Sequence, residues 1–113
     1  MERGRGGSLF DAVVDGDASC STVTLSGELD LASAPQLRSV IDELASRAPE
    51  LVRFDMQGLT FLDSSGISAL VEGQKQLAAN GASVELVGVR EHARRVLDVA
   101  GLSDFFRFTD PAT

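Results

Sequence analysis

Tyrosine and tryptophan are absent from this 113-residue chain, and cysteine, histidine and lysine occur once each, as Cys20, His92 and Lys75. A single cysteine excludes an intrachain disulfide and any cysteine-based metal site, and it suits a reduced, cytoplasmic protein. With one histidine there is no imidazole cluster for zinc, and the acidic residues are scattered without the spacing of a calcium loop. The phosphate-binding Gly-x-x-x-x-Gly-Lys-Ser/Thr loop and the dinucleotide fingerprint Gly-x-Gly-x-x-Gly are both missing, so no metal and no cofactor is expected. No apolar run approaches the roughly 20 residues that cross a bilayer. The N-terminus Met1-Glu2-Arg3-Gly4-Arg5-Gly6-Gly7 has no hydrophobic segment behind it, so no secretory signal is read there. A basic excess is lacking too: the formal net charge is −7, which argues against a non-specific grip on nucleic acid or on an anionic membrane.

What is present suits one small domain. The chain is 43% hydrophobic, within the globular range, and its length leaves little room for a second core. Residues 1–7 read as a flexible leader and 8–110 as the folded domain. Leu9 to Val14 is a weak strand candidate, ended by the turn-like Asp15-Gly16-Asp17. Thr22 to Leu29 is a better one, with Val23 and Leu25 alternating with polar residues. Ser33 and Gln36 have the spacing of a capping box, with Pro35 in the first turn, and Leu37, Val40, Ile41 and Leu44 form the apolar stripe of the helix that follows. Leu51 to Met56 reads as a strand, and Leu59, Phe61 and Leu62 continue its apolar path. A helix from about Ser65 carries Ile67, Leu70, Val71, Leu77 and Ala78 inward and stops at Asn80-Gly81. Val84 to Val89 is a strand. Arg90 to Ala100 is a helix with Ala93, Val96, Leu97 and Ala100 inward, and Phe105, Phe106 and Phe108 predict a short closing helix or strand. Strands alternating with helices imply right-handed crossovers. The expectation is an α/β fold with a mixed sheet of four or five strands and helices mainly on one face.

The segment Phe61-Leu62-Asp63-Ser64-Ser65-Gly66-Ile67 carries the most information. An apolar strand stops there and an amphipathic helix begins, and Asp63, Ser64 and Ser65 can each cap it. A hydroxyl at such a turn is accessible and lies near backbone N–H groups that favour negative charge, a suitable place for a phosphate and equally for an ordinary cap. Hydrolase chemistry is disfavoured, because the Gly-x-Ser-x-Gly frame is missing and His92, beside Arg94 and Arg95, reads as a solvated surface residue. Gly27-Glu28-Leu29-Asp30 is open to two readings of about equal weight: a solvated strand exit, or an acidic rim that a partner contacts.

Three segments together, Gly27-Glu28-Leu29-Asp30, Leu62-Asp63-Ser64-Ser65-Gly66-Ile67 and Val96-Leu97-Asp98-Val99-Ala100-Gly101-Leu102, resemble the STAS-domain anti-sigma factor antagonists of bacterial sporulation and stress responses, over about Leu9 to Phe108. The resemblance implies a non-enzymatic cytoplasmic regulator. In its unphosphorylated form it would bind an anti-sigma factor that is also a serine kinase of the histidine-kinase-like ATPase fold. Phosphorylation would reverse the binding and a serine phosphatase would reset it. The phosphorylated serine maps onto Ser64, and the partner surface onto Asp30, Asp63, Ser64, Ser65 and Gly66. The second glycine that the family often carries is Ser68 here. Similar domains also serve stressosomes, anion transporters and lipid-transport complexes. With no membrane span the transporter case falls away. The alternative is then a non-switching accessory subunit of a stressosome or lipid-transport type of complex, in which Ser64 is only a helix cap.

Overall fold

The computed structural model describes residues 9–111, so the leader expected over 1–7 lies outside the described residues. Strand β1 (Phe10–Gly16) runs antiparallel to β2 (Cys20–Leu29). The tight connection is set by Asp17, whose Oδ1 accepts from the N–H groups of Ser19 and Cys20 at 2.9 and 3.2 Å. From β2 onward strands and helices alternate: α1 (Ala34–Ser46), β3 (Leu51–Leu62), α2 (Ser64–Ala79), β4 (Ser83–Val87), α3 (Glu91–Val99) and β5 (Arg107–Thr109). The sheet order follows the chain, β1-β2-β3-β4-β5, with β2 to β5 parallel. Three successive right-handed crossovers stepping in one direction place α1, α2 and α3 over the same face.

That arrangement dictates a period of two along the strands. Val23 and Leu25 of β2, Val52, Phe54 and Met56 of β3, and Val84 and Leu86 of β4 are buried beneath the helices. The opposite face is polar, and register aligns Thr22, Arg53, Glu85 and Arg107 in one row across four strands. Within that row Arg53 Nε lies 3.2 Å from Glu85 Oε1. Parallel strands are commonly covered on both faces. Here the alternation of polar residues allows one face to stay open.

The helices bury slightly different stripes from those the periodicity predicts. In α1 Leu37, Ile41 and Leu44 are buried as expected, joined by Ala34 and Ala45, and Val40 is half-buried. In α2 the buried residues are Gly66, Ala69, Leu70, Gly73 and Leu77, whereas Ile67 and Val71 are half-buried and Ala78 is exposed. The stripe is rotated towards small residues because α2 must lie close to both the sheet and α1: Ile41 of α1 sits where a side chain on Gly73 would project. In α3 Ala93 and Leu97 are buried, Val96 is half-buried and Ala100 is exposed. Helix α2 ends as its sequence predicts. Gly81 adopts φ +93°, and the N–H of Ala82 reaches back to Leu77 O at 3.1 Å. Of the closing aromatic segment only Phe108 lies in a strand, β5, while Phe105 and Phe106 form the turn before it and pack edge to face, ring centroids 4.8 Å apart.

The capping box expected at α1 is not formed. Ser33 occupies the N-cap position without a side-chain cap bond. Its buried hydroxyl turns back to donate to Glu28 O at 2.7 Å and to accept from Asp30 N–H at 2.9 Å. The hydroxyl thus serves one carbonyl and one amide of the strand exit at once, as donor and as acceptor, instead of the first turn of the helix.

Candidate partner-binding site

Strand β3 is irregular at its C-terminal half, and this shapes the site. Against β2 it gains one residue between Asp55 and Gly58, opposite Thr24 to Ser26, and another between Leu59 and Phe61, opposite Gly27 to Glu28. Each extra residue shifts the inward-facing set by one. Burial therefore passes from Met56 to Leu59 to Leu62 in steps of three, and Phe61, expected on the apolar path, is turned outward at 46% exposure. The β2 strand bends with it. Gly27 has φ +88° and lies so close to the Leu9 carbonyl that no Cβ fits.

Beyond these bulges the ends of β2 and β3 come together with the start of α2. Asp63 N–H donates to Leu29 O at 3.3 Å. Asp63 is extended, at φ −118° and ψ −173°, and its Oδ1 accepts from Gly66 N–H at 3.0 Å, so among the three candidate caps it is Asp63 that caps the helix. Gly66 is buried against β2: a Cβ there would stand 2.7 Å from Leu29 O and 2.8 Å from Leu29 Cγ. This close approach draws the α2 terminus down onto the strand exit that leads to Asp30.

Ser64 is the first residue of α2 and is exposed, and its hydroxyl has no hydrogen-bond partner among the described residues. Ser65 is half-buried. Asp63 satisfies the third N–H of the helix, which leaves those of Ser64 and Ser65 directed at solvent, where the helix terminus favours an anion. Asp30 is half-buried, and its Oδ1 accepts from Ser33 N–H at 3.0 Å. Of the two readings of Gly27-Glu28-Leu29-Asp30, the acidic side chains divide: Glu28 is solvated, and Asp30 shapes the turn that carries Leu31. The structure thus brings Asp30, Asp63, Ser64, Ser65 and Gly66 to one end of the sheet, joined through Leu29.

Sequence reasoning missed two members of this surface. Leu31 is 75% exposed and Phe61 46% exposed, both at the end of the sheet that carries Ser64. Leu31 carried a readable signal, as an apolar residue in a loop between a strand exit and a helix start. Phe61 carried none, because its direction is set by the bulges. His92 is exposed in the first turn of α3, as expected. Among the described residues no His/Cys/Asp/Glu group is arranged to hold a metal, and no helix is long and apolar enough to cross a membrane.

Comparison with known proteins identifies relatives of this fold. An anti-sigma-B factor antagonist of Bacillus subtilis (strain 168) is 33% identical over 82 residues, which span 73% of this chain and 74% of that protein. The crystal structure of an anti-sigma factor antagonist from Mycobacterium paratuberculosis matches with a TM-score of 0.81 at 26% identity, over 91% of this chain and 87% of that one. The Bacillus cell fate determinant SpoIIAA in its phosphorylated form shares the fold, with a TM-score of 0.69 at 22% identity over 90% of each chain. Proteins of this kind are regulatory binding proteins, not enzymes. The STAS domain model matches residues 11–111, taking in all three helices and nearly the whole sheet, and the chain belongs to the STAS domain family.

Proposed function

We propose that this protein is a partner-switching anti-sigma factor antagonist, acting in the cytoplasm. Unphosphorylated, it binds an anti-sigma factor that is also a serine kinase of the histidine-kinase-like ATPase fold. Phosphorylation of Ser64 dissociates the pair, and a serine phosphatase restores it. The observation that carries this reading is the exposed, unpartnered Ser64 hydroxyl at the first position of α2, beside two free backbone N–H groups.

The physics of the switch follows from that position. A phosphate on Ser64 adds about −1.5 to −2 charges at neutral pH. The helix terminus accommodates the anion, so the fold changes little. A partner surface shaped for a neutral hydroxyl between Leu31, Phe61 and the Asp63 cap must instead desolvate a dianion beside an existing carboxylate. Each 1.4 kcal/mol lost weakens binding about tenfold, so a penalty of a few kcal/mol releases the partner without a conformational change.

Incubation with the cognate kinase and ATP is expected to add about 80 Da, one phosphoryl group, to the wild type and nothing to Ser64→Ala. Calorimetry with the same kinase is expected to show Ser64→Ala bound as tightly as wild type and insensitive to ATP, and Ser64→Asp weakened. Phosphorylation of Ser64→Ala, or full-strength binding by Ser64→Asp, would move the switch elsewhere, with Ser65 the next position to test. No mass shift in any variant would leave Ser64 an unmodified surface residue of the α2 start and favour the accessory-subunit role.

A further inference from the structure

A second site is suggested by the far half of the same sheet end. Strand β3 outruns β4: their pairing stops at Asp55–Val87, so Gln57 and the residues after it have no β4 neighbour. The overhang, the β4–α3 connection and the end of β5 enclose an open cleft of about 700 Å³, and Gln57, Arg90, Arg94, Phe108, Thr109 and Asp110 are among the residues that line it. Clefts beyond the carboxyl ends of parallel strands are where α/β sheets commonly hold ligands.

Two guanidinium groups face this cleft in a chain whose net charge is −7. Arg94 lies over the Phe108 ring, its Cζ 3.8 Å from the ring centroid. Its Nε lies 3.5 Å from Asp98, which is not part of the cleft wall. Neither terminal nitrogen of Arg94 has a hydrogen-bond partner among the described residues. Arg90 Nη1 reaches the unpaired Gln57 carbonyl at 3.4 Å, which fixes it on the cleft rim. Thr109 also lines the cleft, and its hydroxyl is buried. Asp110, itself engaged, is the one acid on the rim and opposes part of the positive charge. The amide of Gln57 is turned to Asp55, at 3.2 Å, so it does not compete for the arginines.

We infer that this cleft binds the phosphate group of a small phosphate monoester, with Arg90 and Arg94 as the charged fork. A guanidinium held over an aromatic ring with its terminal N–H groups free is preorganised for an oxyanion. The half-buried Phe108 and the neighbouring Val89 and Pro111 suit an organic substituent on the phosphate better than inorganic phosphate alone. The site is separate from Ser64 and stands whether or not Ser64 is phosphorylated.

The test is a titration of ¹⁵N-labelled full-length protein with inorganic phosphate and with phenyl phosphate at constant ionic strength. Saturable amide shifts are expected at Gly88, Val89 and Arg90 with both probes, with phenyl phosphate the tighter. Arg90→Gln and Arg94→Gln are each expected to weaken binding at least tenfold. If Arg94→Gln fails to fold after losing its contact with Phe108, Arg90→Gln carries the test alone. Linear, unsaturated shifts, or saturable shifts centred on Ser64 and Ser65 instead, would overturn the proposal, as would binding unchanged in Arg90→Gln.

Discussion

Two glycines of one helix, given the same substitution, should move stability in opposite directions. Replacing a glycine inside a helix by alanine gains about 1 kcal/mol of helix propensity wherever the methyl group fits. At Gly66 the new Cβ would meet the Leu29 carbonyl oxygen at 2.7 Å, Leu29 Cγ at 2.8 Å and Leu62 Cδ1 at 2.9 Å. One of these atoms is backbone in the middle of the α2–β2 contact, so relief requires the helix start to move. Overpacking of this kind costs typically 1–3 kcal/mol, and the net effect of Gly66→Ala is a loss of about 0–2 kcal/mol. At Gly73 the near atom is Ile41 Cδ1, at 2.4 Å, and the next two are at 3.4 and 3.5 Å. A terminal methyl moves by a small rotation, so Gly73→Ala retains most of the propensity gain. Thermal unfolding followed by circular dichroism should place Gly66→Ala below wild type and Gly73→Ala at or above it, at about 4 °C per kcal/mol for a domain of this size. Gly66→Ala melting above Gly73→Ala would refute the claim that close packing on Leu29, and not helix propensity, governs the start of α2. The same displacement would carry Ser64 away from the strand exit, so Gly66→Ala should also be phosphorylated more slowly.

Ser33→Ala removes the hydroxyl that joins Glu28 O to Asp30 N–H and leaves both groups short of a partner, at a cost of about 1–3 kcal/mol measured by denaturant unfolding. Leu70→Asp should abolish folding, since Leu70 is 1% exposed and an unpaired carboxylate cannot be held there. Val71→Asp is half-buried and should give a folded, less stable protein, a difference that soluble yield and a cooperative melt would register. Phe61→Ser should leave the melting temperature near wild type while weakening the kinase complex by more than about 1 kcal/mol, the behaviour of an exposed aromatic anchor at an interface. Full-strength binding by that variant would place the partner on another face.

Much of the architecture was legible because it follows from local chemistry. The period-two strands at Val23–Leu25 and Val52–Met56, the stop at Asn80-Gly81 and the cap-rich Asp63-Ser64-Ser65 turn all rest on contacts within a few residues, and the structure reproduces them. The family resemblance rested on the same short segments and was readable for the same reason. Where sequence reasoning failed, competition between distant groups decided the outcome. The Ser33 hydroxyl had an equally local choice of partners and took the strand exit, because the end of β2 lies against it. Ala78 sits outside and Gly73 inside because α2 is pressed against Ile41 of α1, a rotation of the helix that its own periodicity does not encode.

What the sequence by itself determined is the alternation of strands and helices, the exposed serine at a helix start and the absence of metal-ligand and phosphate-loop motifs. Each depends on residue type and on spacing along the chain. Only the tertiary structure decided that Phe61 faces solvent and that Arg90 meets the overhanging Gln57 at the rim of a cleft. Those outcomes arise from bulges, from register between strands and from the mismatch in length between β3 and β4. Such relations join residues more than thirty positions apart, and no local pattern records them.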